Sequence, residues 1–237
     1  MIILTTSFNC ENFIEKSLLS IMGQRYKDFK CYITDDMSTD NTVEIIKKTI
    51  NGDNRFILIE NKEKMFQGGN YDQIIRGLNI PDEEICIEVD GDDWLPHSNV
   101  FSKINQIYSD NKTWITSGSF KYSDGRKGFA NPPKDFKNIR TQTFTLSHLR
   151  TWKSWLWKKI KQEDLKNENG KYWTEANDVA FMFPMVEMAG EEHFTFLDEV
   201  LYIYNETNPL NEHKVSISNV TETANKIRNK QPYSKLL

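Results

Sequence analysis

The sequence predicts an α/β protein with a mostly parallel central sheet flanked by helices. Three observations carry that expectation. Apolar β-like runs alternate with segments of helical periodicity through the first half, as in a sheet with helices on its faces. The chain has 237 residues, 38 % hydrophobic and 27 % charged, a globular balance that excludes a disordered or collagen-like chain. No internal repeat, low-complexity segment or linker divides it, so residues 1–237 read as a single domain.

Residues 2–6 form the first apolar strand. Residues 11–24 set Phe13, Ile14, Leu18, Ile21 and Met22 at three- and four-residue steps, an amphipathic helix that stops near Gly23. Residues 30–34 are the second strand. Residues 39–50 are the second helix, with Thr39 or Asp40 as N-cap and Val43, Ile46 and Ile50 on one face. A third strand covers 55–60, a Gly68-Gly69 turn leads into a third helix at 71–78, and a fourth strand covers 84–89. The second half is less regular. Residues 114–119 read as a strand, and 122–140, with two glycines and two adjacent prolines, as a mobile surface excursion. Residues 149–160 read as a helix with Leu149, Trp152, Leu156 and Ile160 on one side. Residues 178–189 read as another, which Pro184 should kink or split. Residues 194–204 hold one or two strands, and a polar tail beyond Asn205 wraps back.

No apolar run approaches the ~20 residues that cross a bilayer, and Met1 leads directly into a strand with no charged segment before it. A cytoplasmic protein without a transmembrane segment is expected. Cys10, Cys31 and Cys86 are odd in number and widely spaced, which supports neither a disulfide framework nor a zinc site. The net charge of −4 hides an uneven distribution: residues 120–161 carry eleven Lys or Arg against two acids, Asp124 and Asp135.

The strongest local signal is Asp90-Gly91-Asp92-Asp93 directly after an apolar strand. Carboxylates at the C-terminal end of a strand in an open α/β sheet lie where such sheets bind ligands. Three so close repel one another and favour a hard divalent cation such as Mg²⁺ or Mn²⁺. The plainer reading is a solvated acidic turn. Asp35-Asp36 also ends a strand and precedes a helix, where acids and caps are common. Read together, the two pairs open on one cleft.

With Thr5-Thr6-Ser7-Phe8-Asn9, the segment from Ser17 to Gln24, and Asp35-Asp36-Met37-Ser38-Thr39-Asp40-Asn41-Thr42, this acidic turn completes four blocks. In order and spacing they resemble family 2 glycosyltransferases of the GT-A fold over about the first 100 residues. The resemblance implies a Rossmann-like nucleotide-sugar-binding half at 1–95, an acceptor-binding and catalytic half at 96–205, and a tail at 206–237. It implies inverting transfer of a sugar from a nucleotide-diphosphate donor, a UDP-sugar above all, to an acceptor hydroxyl, with Mn²⁺ or Mg²⁺. Thr6 and Phe8 would line the base pocket, Asp36 would hydrogen-bond a uracil-type ring, and Asp35 would support that wall. Asp90 would sit by the ribose or sugar, Asp92 would bind the metal on the diphosphate, and Asp93 would stand near the transferred sugar. Two departures are visible: Met37 replaces a family Gly, and Gln73-Ile74-Ile75 replaces Ala-Arg-Asn on the third helix.

In the second half, Trp173-Thr174-Glu175-Ala176-Asn177-Asp178 resembles the family's Glu-Asp block. Asp178 matches the Asp that deprotonates the acceptor, and Asn177 replaces the Glu. A base belongs on the face of the sugar opposite the leaving diphosphate. The alternative is a helix-starting acid. Glu187 is the second choice for base, in a context that reads as packing with one polar tether. His148-Leu149-Arg150-Thr151-Trp152 reads as an acceptor-side wall, with Arg150 reaching the diphosphate. Trp152, Trp155 and Trp157 are core residues or stacking platforms. His213 either completes the metal or diphosphate shell or is a surface histidine. The basic stretch predicts a phosphorylated or lipid-linked glycan, or a nucleic acid, as acceptor, against the alternative of a solvated basic face.

Competing functions differ in what they require. A dehydrogenase needs a Gly-x-Gly-x-x-Gly turn after the first strand, where Thr5 to Asn9 stands instead. A nucleotidyltransferase of related fold usually carries a Gly-rich, basic loop there, which is also absent. A non-catalytic nucleotide-sugar-binding module would have no need of the base at Asp178.

Overall fold

The computed structural model describes residues 1–211, 214 and 217–237. Its strands are β1 (Ile2–Ser7), β2 (Lys30–Asp35), β3 (Phe56–Glu60), β4 (Ile85–Glu88), β5 (Ile115–Gly118), β6 (Lys121–Tyr122), β7 (Thr151–Lys153), β8 (Phe194–Leu197) and β9 (Ile203–Tyr204). Seven of them form one sheet in the order β3-β2-β1-β4-β7-β5-β8, and β6 pairs with β9 in a second, two-stranded sheet. β1 runs parallel to both β2 and β4, with Ile2 opposite Lys30 and Cys86. This parallel block is the first half expected from the alternation.

Residues alternate across β1, and the core divides accordingly. Ile2 and Leu4 join Tyr71, Cys86, Trp152, Trp157 and Phe181 on one face of the sheet, whereas Ile3 joins Ile14, Leu18, Ile33, Ile87 and Phe101 on the other. Helix α1 (Ile14–Met22) buries Ile14, Ser17, Leu18 and Ile21. Two polar residues of this segment tie it to the turn after β4. Ser17 Oγ donates to Asp90 O at 3.1 Å, and Gln24 Nε2 donates to His97 O at 2.8 Å while its Oε1 accepts from Phe101 N. Helix α2 (Thr42–Thr49) begins later than its periodicity suggests because Asp35 and Asp40 organise the preceding turn. Ser38 N donates to Asp35 Oδ1 and Thr42 N donates to Asp40 Oδ1, and the N-cap is Asn41 rather than Thr39 or Asp40 because this turn holds the chain out of the helix until Thr42.

Three expectations are corrected. Gly68-Gly69 is not a turn: both lie within α3 (Phe66–Asp72), which continues as a π-helical turn over Gln73–Gly77. A Cβ on Gly69 would stand 2.7 Å from the Tyr172 ring, so the glycine permits close packing. Residues 149–160 are not one helix. Thr151–Lys153 is β7, antiparallel between β4 and β5, and only Ser154–Lys158 is helical (α5). The gap between β4 and β5 leaves ladder groups to satisfy, and β-branched Thr151 and aromatic Trp152 fill it against their helical periodicity. Pro184 does not split its helix either. A single span, α6 (Asn177–Ala189), runs through it with every residue but Asp178 buried, and packing from all sides holds it together.

Helix α4 (Val100–Ile107) and the C-terminal helix α7 (Ile217–Arg228) complete the fold. The tail does wrap back. Tyr233 N donates to Glu187 Oε2 and Leu236 N to Met188 O, both at 2.9 Å. Among the described residues no helix is long and apolar enough to cross a membrane.

Candidate active site

A cleft of about 1100 Å³ opens beyond the C-terminal ends of β1, β2 and β4, where parallel strands leave their carbonyl ends and following loops free to build a site. Thr6, Phe8, Asp36, Asp90, Asp92, Asp93, Arg150 and Asp178 all line it, and Asp35 stands directly behind. Asp35 takes Ser7 Oγ and Ser38 Oγ on Oδ2, which fixes the turn after β2. Asp36 accepts Met65 N and Asn61 Nδ2 on Oδ1 and Phe66 N on Oδ2, so it also holds the start of α3. Phe8 is 41 % exposed, with Lys64 Nζ 2.9 Å from its ring centre. An exposed ring at a strand end is a platform for a flat ligand.

The centre of the cleft is an ionic network. His148 Nε2 lies 3.4 Å from both Asp90 Oδ2 and Glu88 Oε1, and its ring stacks on Tyr202 at 4.4 Å. Arg150 Nη1 donates to Glu88 Oε1 at 2.9 Å, and Nη2 donates to Asp178 Oδ2 at 2.7 Å. Gln67 Nε2 bridges Glu88 Oε1 and Asp90 Oδ1 from α3. Burial and the Arg150 charge press the His148 imidazolium to deprotonate, yet hydrogen bonds to Asp90 and Glu88 outweigh them and hold it up to about 9. Burial would raise the Asp90 carboxyl, but the His148 hydrogen bond and charge keep it below its usual value.

The raised His148 value makes stability pH-dependent. The unfolded imidazole titrates near 6.5, so the contribution is complete below that pH and is lost as pH rises toward about 9. Urea unfolding at pH 6 and pH 9.5 is expected to differ by about 3 kcal/mol from this group, and His148→Gln to flatten that difference. An unchanged slope in the variant would place the titration elsewhere.

Glu88, Asp90 and His148 form the one cluster of three potential metal ligands among the described residues. His148 and Arg150 already supply cations to it. Asp92 is different. Partial burial and then the nearby Asp90 charge push its carboxyl up to about 6, and its partner is the neutral Asn208, whose Nδ2 donates to Oδ2 at 2.7 Å. A carboxylate so placed, with hard oxygen donors, the His148 charge acting only as a minor influence and no ion-pair partner among the described residues, fits a divalent cation. Asp93 is 1 % exposed, accepts Asn205 N, and has its carboxyl raised well above the usual range by burial and by Asp92 and Asp90. It anchors the 205 turn at the cleft wall.

Asp178 is the second residue of α6, which begins after Ala176, whose φ of +51° sets the entry angle. Arg150 is 4 % exposed, with Nη1 on Glu88 and Nη2 on Asp178 and the Leu146 carbonyl, while its buried Nε has no hydrogen-bond partner among the described residues. Glu187 does not reach the cleft. Its carboxylate is bonded by Arg140 Nε at 2.6 Å and Nη2 at 2.8 Å, and Arg140 Nη1 reaches Ile227 O, so the pair staples the tail to α6. Trp152 and Trp157 are core residues, and no tryptophan is among the cleft-lining residues described. The basic stretch is not one face. Arg126, Arg140, Arg150, Lys153 and Lys158 are in ion pairs, and of the eleven only Arg150 lines the cleft. His213 lies outside the described residues.

Sequence reasoning passed over Glu88, Gln67, Asn208 and Tyr202, whose OH accepts from Asp90 N. Glu88 carried a signal: a fully buried charge inside the apolar run Ile85–Val89 needs partners.

Residues 2–179 match the family model described as Glycosyl transferase family 2. The chain is 25 % identical over 214 residues to an uncharacterized glycosyltransferase, EpsJ, of Bacillus subtilis, covering 86 % of this chain and 60 % of EpsJ. Two solved structures share the fold. Staphylococcus aureus TarS 1–349 in complex with UDP-GlcNAc superposes with a TM-score of 0.68 at 17 % identity, covering 95 % of this chain and 64 % of TarS 1–349. The mannosyltransferase PcManGT of Pyrobaculum calidifontis, in complex with GDP-Man and Mn²⁺, gives 0.63 at 16 %, covering 98 % and 65 %. The chain thus spans less than two thirds of the length of each.

Proposed function

The chain belongs to glycosyl transferase family 2, and on that premise we propose that it transfers a sugar, with inversion, from a nucleotide-diphosphate donor to an acceptor hydroxyl. One observation carries the reading: Asp178 and the cation-poor Asp92 border the same cleft, with Arg150 hydrogen-bonded to the former. A base and a diphosphate-binding carboxylate on one cavity are what displacement at the sugar carbon requires. Thr6, Phe8 and Asp36 hold the base, with Asp35 behind them, and Asp90 and Asp93 border the ribose and sugar. The donor half is 1–95 and the acceptor half 96–205. The donor is a UDP-sugar, consistent with the UDP-GlcNAc held by one structural neighbour. Asp92 would hold Mn²⁺ or Mg²⁺, which would neutralise the departing diphosphate. Asp178 takes the acceptor proton as the new bond forms. Arg150 Nη2 holds one Asp178 oxygen and Val179 N the other, so the carboxylate is oriented before the acceptor arrives. Three buried free thiols suit a reducing cytoplasm.

The test is a panel of UDP-, GDP- and other nucleotide-diphosphate sugars with Mn²⁺. At about 100 times the dissociation constant the true donor is expected to add about 2.7 kcal/mol, or about 5–10 °C in melting temperature, and to release nucleotide slowly. No shift and no release with any donor would sink the reading.

A further inference from the structure

We propose that the hairpin at residues 120–129 and the facing strand β9 form an acceptor subsite for a neutral pyranose ring, on the reading that this cleft transfers a sugar. The hairpin is built with care for one side chain. Tyr122 N donates to Arg126 O and Gly128 N to Phe120 O, and Gly125, with φ of +93°, makes the turn. Phe120 is buried, and a Cβ on Gly128 would stand 2.4 Å from its ring, so only glycine lets the returning backbone lie against it. That contact delivers Phe129 to the rim of the cleft, 55 % exposed and edge-on to Phe120 at 5.4 Å. A large ring held outward by a closely packed hairpin has no folding reason to be apolar.

From Phe129 the rings continue inward. Phe120 and Tyr204 are 5.9 Å apart, and Tyr204 and His148 6.1 Å with nearly parallel planes, so an aromatic wall runs from the rim to the ionic centre beside Asp90. The same cleft is lined by polar groups: Asn208, bonded to Asp92, Thr174 and Asn211. Ring faces beside amide and hydroxyl groups match a pyranose, which has an apolar C–H face and a polar rim of hydroxyls. A prenyl chain would add no hydrogen bond to these groups beyond those they make within the protein. An anionic acceptor meets no free cation among the described residues that line this wall. Arg126 is engaged by Asp124 and Glu206, the exposed Lys121 and Lys127 of the hairpin do not line the cleft, and the four cleft-lining cations described already have partners: Lys64 over Phe8, His148 between Glu88 and Asp90, Arg150 between Glu88 and Asp178, and Arg228 on the Gln142 carbonyl.

The experiment titrates methyl β-glucopyranoside, methyl β-galactopyranoside, methyl N-acetyl-β-glucosaminide, glycerol 3-phosphate and farnesyl phosphate into the protein, with and without UDP and Mn²⁺, and follows saturation transfer by NMR. At least one methyl glycoside is expected to bind through its C–H face. Phe129→Ala should weaken it roughly tenfold and Phe129→Trp should restore it. Melting curves check that both variants fold. Failure of all three glycosides to bind overturns the proposal, as does glycoside binding indifferent to Phe129→Ala. Dependence on Phe129 by glycerol phosphate or farnesyl phosphate alone also overturns it. Glycoside binding that needs Phe129 in a protein that takes no UDP supports the subsite and removes the glycosyl-transfer reading instead.

Discussion

Asp178→Asn is expected to slow transfer by about 10²–10⁴-fold, the span of a lost general base, while UDP affinity stays within about twofold. The substitution is nearly isosteric. The Asn carbonyl can still accept from Arg150 Nη2, which now bonds Asp178 Oδ2 at 2.7 Å, so the network to Glu88 survives. What is lost is the capacity to take a proton. Single-turnover transfer with saturating donor separates this from a binding defect. Near-wild-type turnover would remove Asp178 from the role, and Glu187 is not available to replace it, because Arg140 occupies both of its oxygens.

The second large effect concerns the cation. Asp92→Ala, or chelation of the wild type, is expected to weaken UDP binding on the order of 100-fold, about 2.7 kcal/mol. The pH dependence has a definite sign. With its carboxyl pushed up to about 6, Asp92 holds a proton below that pH, and proton and cation compete for the same oxygens. The Mn²⁺-dependent part of the affinity should therefore fall as pH drops below about 6 and be level above it. In Asp92→Ala this dependence should vanish. Equal UDP affinity in chelator and in Mn²⁺, measured by calorimetry, would contradict the assignment.

The acidic edge of the cleft was legible in the sequence. Strands that alternate with helices run parallel, so the residues that follow them, Phe8, Asp36, and Asp90 to Asp93, reach one edge of the sheet whatever else the chain does. The blocks around Ser17 and Gln24 were recognisable as pattern, and the structure supplies their reason: both hold α1 to the turn that carries the acidic residues. The helical periodicity of 149–160 misled because Leu149, Trp152, Leu156 and Ile160 are all buried, but Trp152 from β7, Leu156 from α5, and Leu149 and Ile160 from the segments flanking them.

What the sequence alone determined about this protein is the order of its parallel elements and the acidic ends of β2 and β4, since both follow from local periodicity and from residues close in the chain. Only the tertiary structure decided which charges those acids meet. β7 returns antiparallel beside β4, and that pairing carries His148 and Arg150 across some 60 residues of sequence onto Asp90 and Glu88. The same return puts Arg150 and Lys153 of the basic stretch in ion pairs, and among the described residues the side-chain partner of Asp92 is the Asn208 amide. Residue spacing encodes periodicity within one element. It does not encode which cation crosses the sheet to neutralise a buried acid, because that depends on a strand order set by the packing of the whole chain.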